Sequence, residues 1–170
     1  GYNGSRTQRS RLFHNKGNLK FEDVTDAVGF PAVAPGLGVA VADVNDDGRP
    51  DLVMVQAGSV RIWIQTSTGT FVKRAEVAQT GVEKVAVGDF DLDGLPDIYV
   101  LRGATSGSTN APDVMLLNDG NGLTYTPMTI PGSPGGSADS VEPIDHDRNG
   151  QMDFLVMNGD GLHNTPGFTQ

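Results

Sequence analysis

The sequence predicts an all-β fold built from repeated four-stranded antiparallel meanders, and three observations carry that prediction. A nine-residue pattern, D-x-[DN]-x-[DN]-G-x-x-D, is written three times, starting at Asp43, Asp89 and Asp145, and repeats of about 20 to 50 residues mark stacked supersecondary units. Apolar residues around each copy follow the alternating or continuous patterns of strands, and no stretch carries a capped helical period. Glycine and proline number 23 and 10 in 170 residues without a collagen-like period, which favours many short strands joined by turns.

The chain opens on an incomplete unit, Leu12 to Asn15 and Phe21 to Thr25, which matches only the third and fourth strands of the units that follow. The alternating segment Gly38 to Ala42 then leads into the first motif, and Leu52 to Val55, apolar throughout, is the expected second strand, covered on both faces. Val60 to Gln65 and Phe71 to Val77, separated by a Gly-containing turn, are the third and fourth. The next unit repeats the order with Lys84 to Gly88, Ile98 to Leu101, Val114 to Asn118 and Tyr125 to Ile130. The last supplies Ser140 to Ile144, Phe154 to Met157 and a third strand at Leu162-His163-Asn164, which echoes Phe13-His14-Asn15. The motifs start 46 and 56 residues apart, and most of the extra length falls in the Gly/Ser/Thr-rich stretch Arg102 to Asp113. The chain therefore reads as one repeat domain: a partial unit over 1–35, full units over 36–80 and 81–136, and a partial unit over 137–170.

Composition narrows the function. A net charge of −9, from 12 basic and 21 acidic residues, argues against a nucleic-acid partner, whose phosphates need cationic neutralisation. Apolar runs fall far short of the roughly 20 residues of a spanning helix, so no membrane insertion is expected. The absence of cysteine removes disulfides, thiol nucleophiles and zinc-thiolate sites.

The chemistry lies in the motif. Its first, third, fifth and ninth positions carry side-chain oxygens, the seventh can contribute a backbone carbonyl whatever its side chain, and the sixth is always glycine. Alternate oxygens on a tight loop suit a hard cation such as calcium, which takes six to eight oxygen ligands; magnesium prefers stricter geometry and retained waters. The candidate ligands are Asp43, Asn45, Asp47, Arg49 and Asp51, then Asp89, Asp91, Asp93, Leu95 and Asp97, then Asp145, Asp147, Asn149, Gln151 and Asp153. An EF-hand shares the first half of the pattern but needs a glutamate at position twelve; Met54, Val100 and Val156 stand there. These loops hold eleven of the 21 acidic residues, and about three bound calcium ions would offset their mutual repulsion.

At this point the residues resemble FG-GAP, or VCBS-type, repeats, the calcium-containing blades of β-propellers such as those of integrin α-subunits. Gly38 to Val55, G-V-A-V-A-D-V-N-D-D-G-R-P-D-L-V-M-V, looks like a family blade core, and Leu12 to Thr25 is similar to the element that joins blades in the cartilage-acidic-protein branch. The resemblance implies radial four-stranded blades, here an incomplete propeller of about three to three and a half blades, with each cation loop joining the innermost strand to the second. Asn45 and Asn149 replace aspartate at one ligand position each, which lowers the charge of the first and third sites.

Propellers host many activities, so the site decides. His14, His146 and His163 are isolated in sequence, and no nucleophile elbow, P-loop or H-E-x-x-H motif appears,. The expected function is a non-enzymatic extracellular or cell-surface adhesion or assembly module, stabilised by calcium, with protein partners that include further copies of itself. The alternatives are a glycan-binding lectin, with Trp63 as a stacking platform, and a fragment of a larger polysaccharide-acting enzyme. Asn3-Gly4-Ser5 is an acceptor sequon for glycosylation. Partner contacts are expected on the face opposite the cation loops, around Arg102 to Asp113 and Pro131 to Ser137. Thirteen expected strands fall short of four blades, so the open edges are completed either by flanking sequence or by strand addition between copies, as a ring or a filament.

Overall fold

Twelve β-strands and no helix make up residues 10–30, 36–56, 58–103, 111–130 and 138–158, the parts of the chain that the computed structural model describes. They are β1 (Phe13–Asn15), β2 (Phe21–Asp23), β3 (Gly38–Ala42), β4 (Asp51–Gln56), β5 (Ser59–Gln65), β6 (Phe71–Ala78), β7 (Val82–Gly88), β8 (Asp97–Arg102), β9 (Val114–Asn118), β10 (Tyr125–Thr129), β11 (Ala138–Ile144) and β12 (Asp153–Asn158). Four antiparallel sheets follow in chain order: β1-β2, β3-β4-β5-β6, β7-β8-β9-β10 and β11-β12. The all-β, blade-like class expected from the repeats is the observed one. A third strand at 162–164, the sequon at Asn3, His163 and the loop segments 104–110 and 131–137 lie outside the described residues.

The second, third and fourth sheets stack face to face in chain order, and Leu12, Val28 and Phe30, around the first sheet, pack on the second. The innermost strands β3, β7 and β11 lie side by side, the propeller-like arrangement. Period-two alternation sends neighbouring residues of one strand to opposite sheets. Val53 and Val55 of β4 and Val60 and Ile62 of β5 pack against Ile98 and Val100 of β8 and Leu116 of β9, forming the main core. Met54 and Trp63, on the other face of the same sheet, pack on Phe30 and Phe71 with Leu12 and Val28 at the margin. Beyond the third sheet, Tyr99, Leu101 and Met115 meet Val141 and Val156. The rings of Tyr99 and Phe154 lie 4.5 Å apart there.

Trp63, the stacking platform of the lectin alternative, is buried, with the Phe30 ring 5.4 Å away. One sequence expectation needs correction. The expectation that each strand after a motif is covered on both faces holds for β4 and β8, whereas β12 is covered on one side only. Phe154 and Val156 turn toward the third sheet, while Leu155 and Met157 are exposed.

Candidate metal centres

Each motif is a connection between a first and a second strand, and the strand register sets its ends. Ala42 pairs with Asp51, Gly88 with Asp97 and Ile144 with Asp153, so the first carboxylate of every loop starts beside the last. The chain returns in seven residues by entering the left-handed region at the fourth position, Asp46, Leu92 and Arg148 (φ 55°, 65° and 60°), and again at the sixth, Gly48, Gly94 and Gly150 (φ 79°, 92° and 86°). Glycine bears such angles without steric cost. The fourth position bears them with three chemically unrelated side chains.

Amide donors then fix the oxygens, and the three loops use the same set. The N–H of Gly48, Gly94 and Gly150 donates to Oδ2 of Asp43, Asp89 and Asp145 at 2.6, 3.0 and 3.0 Å. The N–H of Arg49, Leu95 and Gln151 donates to the fifth-position side chains Asp47, Asp93 and Asn149 at 3.0, 2.8 and 2.7 Å. Oδ2 of the ninth-position Asp51, Asp97 and Asp153 accepts from the N–H of Val44, Phe90 and His146 at 3.1, 3.0 and 3.0 Å. In the two full sheets the other oxygen of that carboxylate accepts from the end of the third strand, Gln65 N–H at 2.8 Å and Asn118 N–H at 2.9 Å.

In the second loop three carboxylates converge, with oxygens of Asp89, Asp91 and Asp97 all within 4.8 Å of one another. The Asp97 carboxyl is pushed above its ordinary range by burial first, with the Asp91 and Asp93 charges adding to the effect. Asp51 is raised for the same reasons, burial and then Asp47 and Asp43. Two oxygens at candidate ligand positions, Asn45 Oδ1 and Asp89 Oδ1, are buried without a hydrogen-bond partner. A buried acceptor without a donor is costly, and so is a buried carboxylate beside other carboxylates; a cation would resolve both. The residues therefore fit calcium, which the carboxylates, the Asn oxygens and the seventh-position carbonyls would hold.

The first and third loops differ through a basic side chain of their own that reaches a loop carboxylate. In the first, the Arg49 guanidinium bonds Asp47 Oδ2 and its Nε donates to the Gln65 carbonyl at 3.0 Å. In the third, His146 Nδ1 lies 2.8 Å from Asp153 Oδ2, and His146 joins Asp147 and Asp153 in one cluster. Asp153 is not buried as its counterparts are, and the His146 hydrogen bond holds its carboxyl below the ordinary range. Sequence reading treats the Arg49 side chain as irrelevant and His146 as isolated; the structure places both on loop carboxylates.

Asn118 is the other residue the sequence does not single out. Its Nδ2 donates across the sheet boundary to the Val44 carbonyl at 2.8 Å, while its Oδ1 accepts from Gly122 N–H at 3.0 Å. A Cβ on Gly122 would come within 2.8 Å of Val44, so only glycine lets this turn seat on the first loop. Asp51, Val44, Asn118 and Asp97 thus form one hydrogen-bonded connection between the first and second loops.

A family model described as "FG-GAP-like repeat" matches residues 2–54 and 43–100. Cartilage acidic protein 1 of Homo sapiens is 28% identical over 162 residues, covering 89% of this chain and 24% of its own length. The proteins of the same name from Mus musculus and Xenopus tropicalis are 27% and 26% identical, each with 25% of its length covered. The chain spans about a quarter of the length of these curated relatives.

Proposed function

Because the chain belongs to the FG-GAP-like repeat family, we propose that it is a non-enzymatic, calcium-stapled module of extracellular adhesion or assembly. The observation that carries this reading is the threefold recurrence of one oxygen-lined loop, with buried acceptors at Asn45 and Asp89 that have no donor. Bound calcium would supply the positive charge that these carboxylates lack. The chain's own residues do the rest. The glycine at position six makes the turn, the loop amides orient the carboxylates, and Asp51 and Asp97 tie the first two loops to the ends of third strands.

The extracellular setting is supported by the name of the relatives, cartilage acidic protein, and by the abundance of calcium outside cells, where sites of modest affinity fill. The non-enzymatic part rests on the family and on the sequence, which places no nucleophile and base together outside the loops. The lectin reading loses its anchor with Trp63 inside the core. Partner contacts are assigned to the face opposite the loops, around Arg102 to Asp113. There the Asp113 carboxylate accepts from Arg102 N–H at 2.8 Å and fixes the base of the insertion. Calcium titration of the chain and of Asp47→Ala, Asp93→Ala and Asp147→Ala tests the assignment. Each variant should lose one site, and unchanged stoichiometry in all three would refute it.

A further inference from the structure

Building on the calcium reading above, we infer that the first and second loops bind calcium cooperatively, with Asn118 as the positioning residue that couples them. One buried amide is shared by both loops. Asn118 ends β9, outside either motif, and is 4% exposed. Its Nδ2 carries two hydrogens and reaches two acceptors, the Val44 carbonyl of the first loop at 2.8 Å and the Pro96 carbonyl of the second at 3.2 Å. Its main-chain N–H donates to Asp97 Oδ1 at 2.9 Å, and its Oδ1 accepts from Gly122 N–H at 3.0 Å. The side chain is thereby held in one orientation, facing both loops.

Both grips fall beside candidate ligands. Val44 stands between Asp43 and Asn45, its own N–H donates to Asp51 Oδ2 at 3.1 Å, and its side chain is fully buried in the core that the second and third sheets share. Pro96 stands between Leu95, whose carbonyl is a candidate ligand, and Asp97. The strand end that holds the closing carboxylate of the second loop therefore also clamps the backbone of the first. Gly122 allows the close approach, since a Cβ there would lie 2.8 Å from the Val44 carbonyl oxygen. Tyr125, which pairs with Asn118, feels both loops: burial first, and then the charges of Asp51 and Asp97, hold its phenol above the ordinary range.

This sharing has an energetic consequence. Carboxylates crowded on one loop repel one another, and closing the loop around them costs backbone freedom. Once the second loop is closed, Pro96 and Asp97 fix Asn118, which then presents its other N–H to Val44 where the closed first loop needs it. Part of the ordering that the first loop requires is already done. Such coupling acts through ordering, without contact between the two sites. Linkage makes it reciprocal, so closure of the first loop favours the second by the same factor.

Calcium titration of the intact chain followed by amide NMR tests this, because the Gly48 and Gly94 resonances report the two loops separately. Asp93→Ala, in the second loop, should weaken the first-loop affinity read at Gly48 by about fivefold, the lower end of typical coupling. Asp47→Ala should weaken the second-loop affinity read at Gly94 by the same factor. Asn118→Ala keeps the main-chain N–H for Asp97 but removes the clamp. In that background Asp93→Ala should change the Gly48 affinity by less than about twofold, the margin within which independent sites add. Gly122→Ala, which pushes the turn away from Val44, should uncouple the loops in the same way and provides the test if Asn118→Ala does not fold. First-loop affinity equal in wild type and Asp93→Ala, or coupling that survives in the Asn118 and Gly122 variants, would overturn the inference. Three ions bound without coupling would leave the calcium assignment standing, whereas resonances unmoved by millimolar calcium at both glycines would overturn both readings.

Discussion

Asp93 and Asp47 occupy the same position of the repeat with opposite neighbours, and that contrast orders the sites. The Asp93 carboxylate accepts from Leu95 N–H, whereas Asp47 carries the Arg49 guanidinium in addition to the equivalent Arg49 N–H. The second loop should bind calcium most tightly. Arg49→Gln should free Asp47 and tighten the first loop by up to about 1 kcal/mol, roughly fivefold, the scale of a partly exposed ion pair; titration calorimetry on the variant measures it. Gly94→Ala should cost about 1–2 kcal/mol in denaturant unfolding, through backbone strain alone, since φ is +92° and a Cβ there meets no atom within 4 Å. The oxygen-bearing positions could be read from sequence because calcium chemistry demands those residue types at that spacing. The left-handed fourth position could not be, because Asp46, Leu92 and Arg148 share no property that signals it. The roles of Arg49 and His146 depend on where the loop folds their side chains, which spacing alone does not fix.

Strands are where sequence and structure agree most closely. Gly38 to Ala42 and Val114 to Asn118 match the observed strands to the residue, and the others differ by one to two residues at their ends, because alternation and β-branched runs mark strand interiors while turn geometry sets the margins. Contacts between sheets carry no such signal. Asn118 lies at the end of β9 and its donation to Val44 spans 74 residues of chain. Asn118→Ala should destabilise by about 1–3 kcal/mol, because it leaves the buried Val44 carbonyl without that donor; urea unfolding would show it. Within the second sheet, Glu76 of β6 accepts from Arg61 of β5 and from Lys73, and these bonds, Lys73 first, draw its carboxyl down to about 2. The stability it adds is present above the ordinary carboxylate value and is lost as pH falls toward about 2. Both ion pairs are partly exposed, so Glu76→Gln should cost less than about 1 kcal/mol at pH 7. Unfolding midpoints of wild type and variant should converge by pH 2.

At the scale of the molecule, the repeat made the blade architecture readable because one motif recurs between the same kinds of strand. What the sequence left open is which residues each sheet buries: Phe13, Phe21, Leu155 and Met157 are exposed, whereas Trp63, Phe71, Val53 and Val55 are buried. The proposed calcium would offset the acidic excess behind the net charge of −9, in loops whose aspartates Asp51 and Asp97 are fully buried. A ligand bound only by the folded state stabilises it by mass action. Calcium calorimetry on the intact chain tests this most directly. The account predicts about three ions bound per chain, with Asp93→Ala removing the tightest. An absence of binding at millimolar calcium would contradict it.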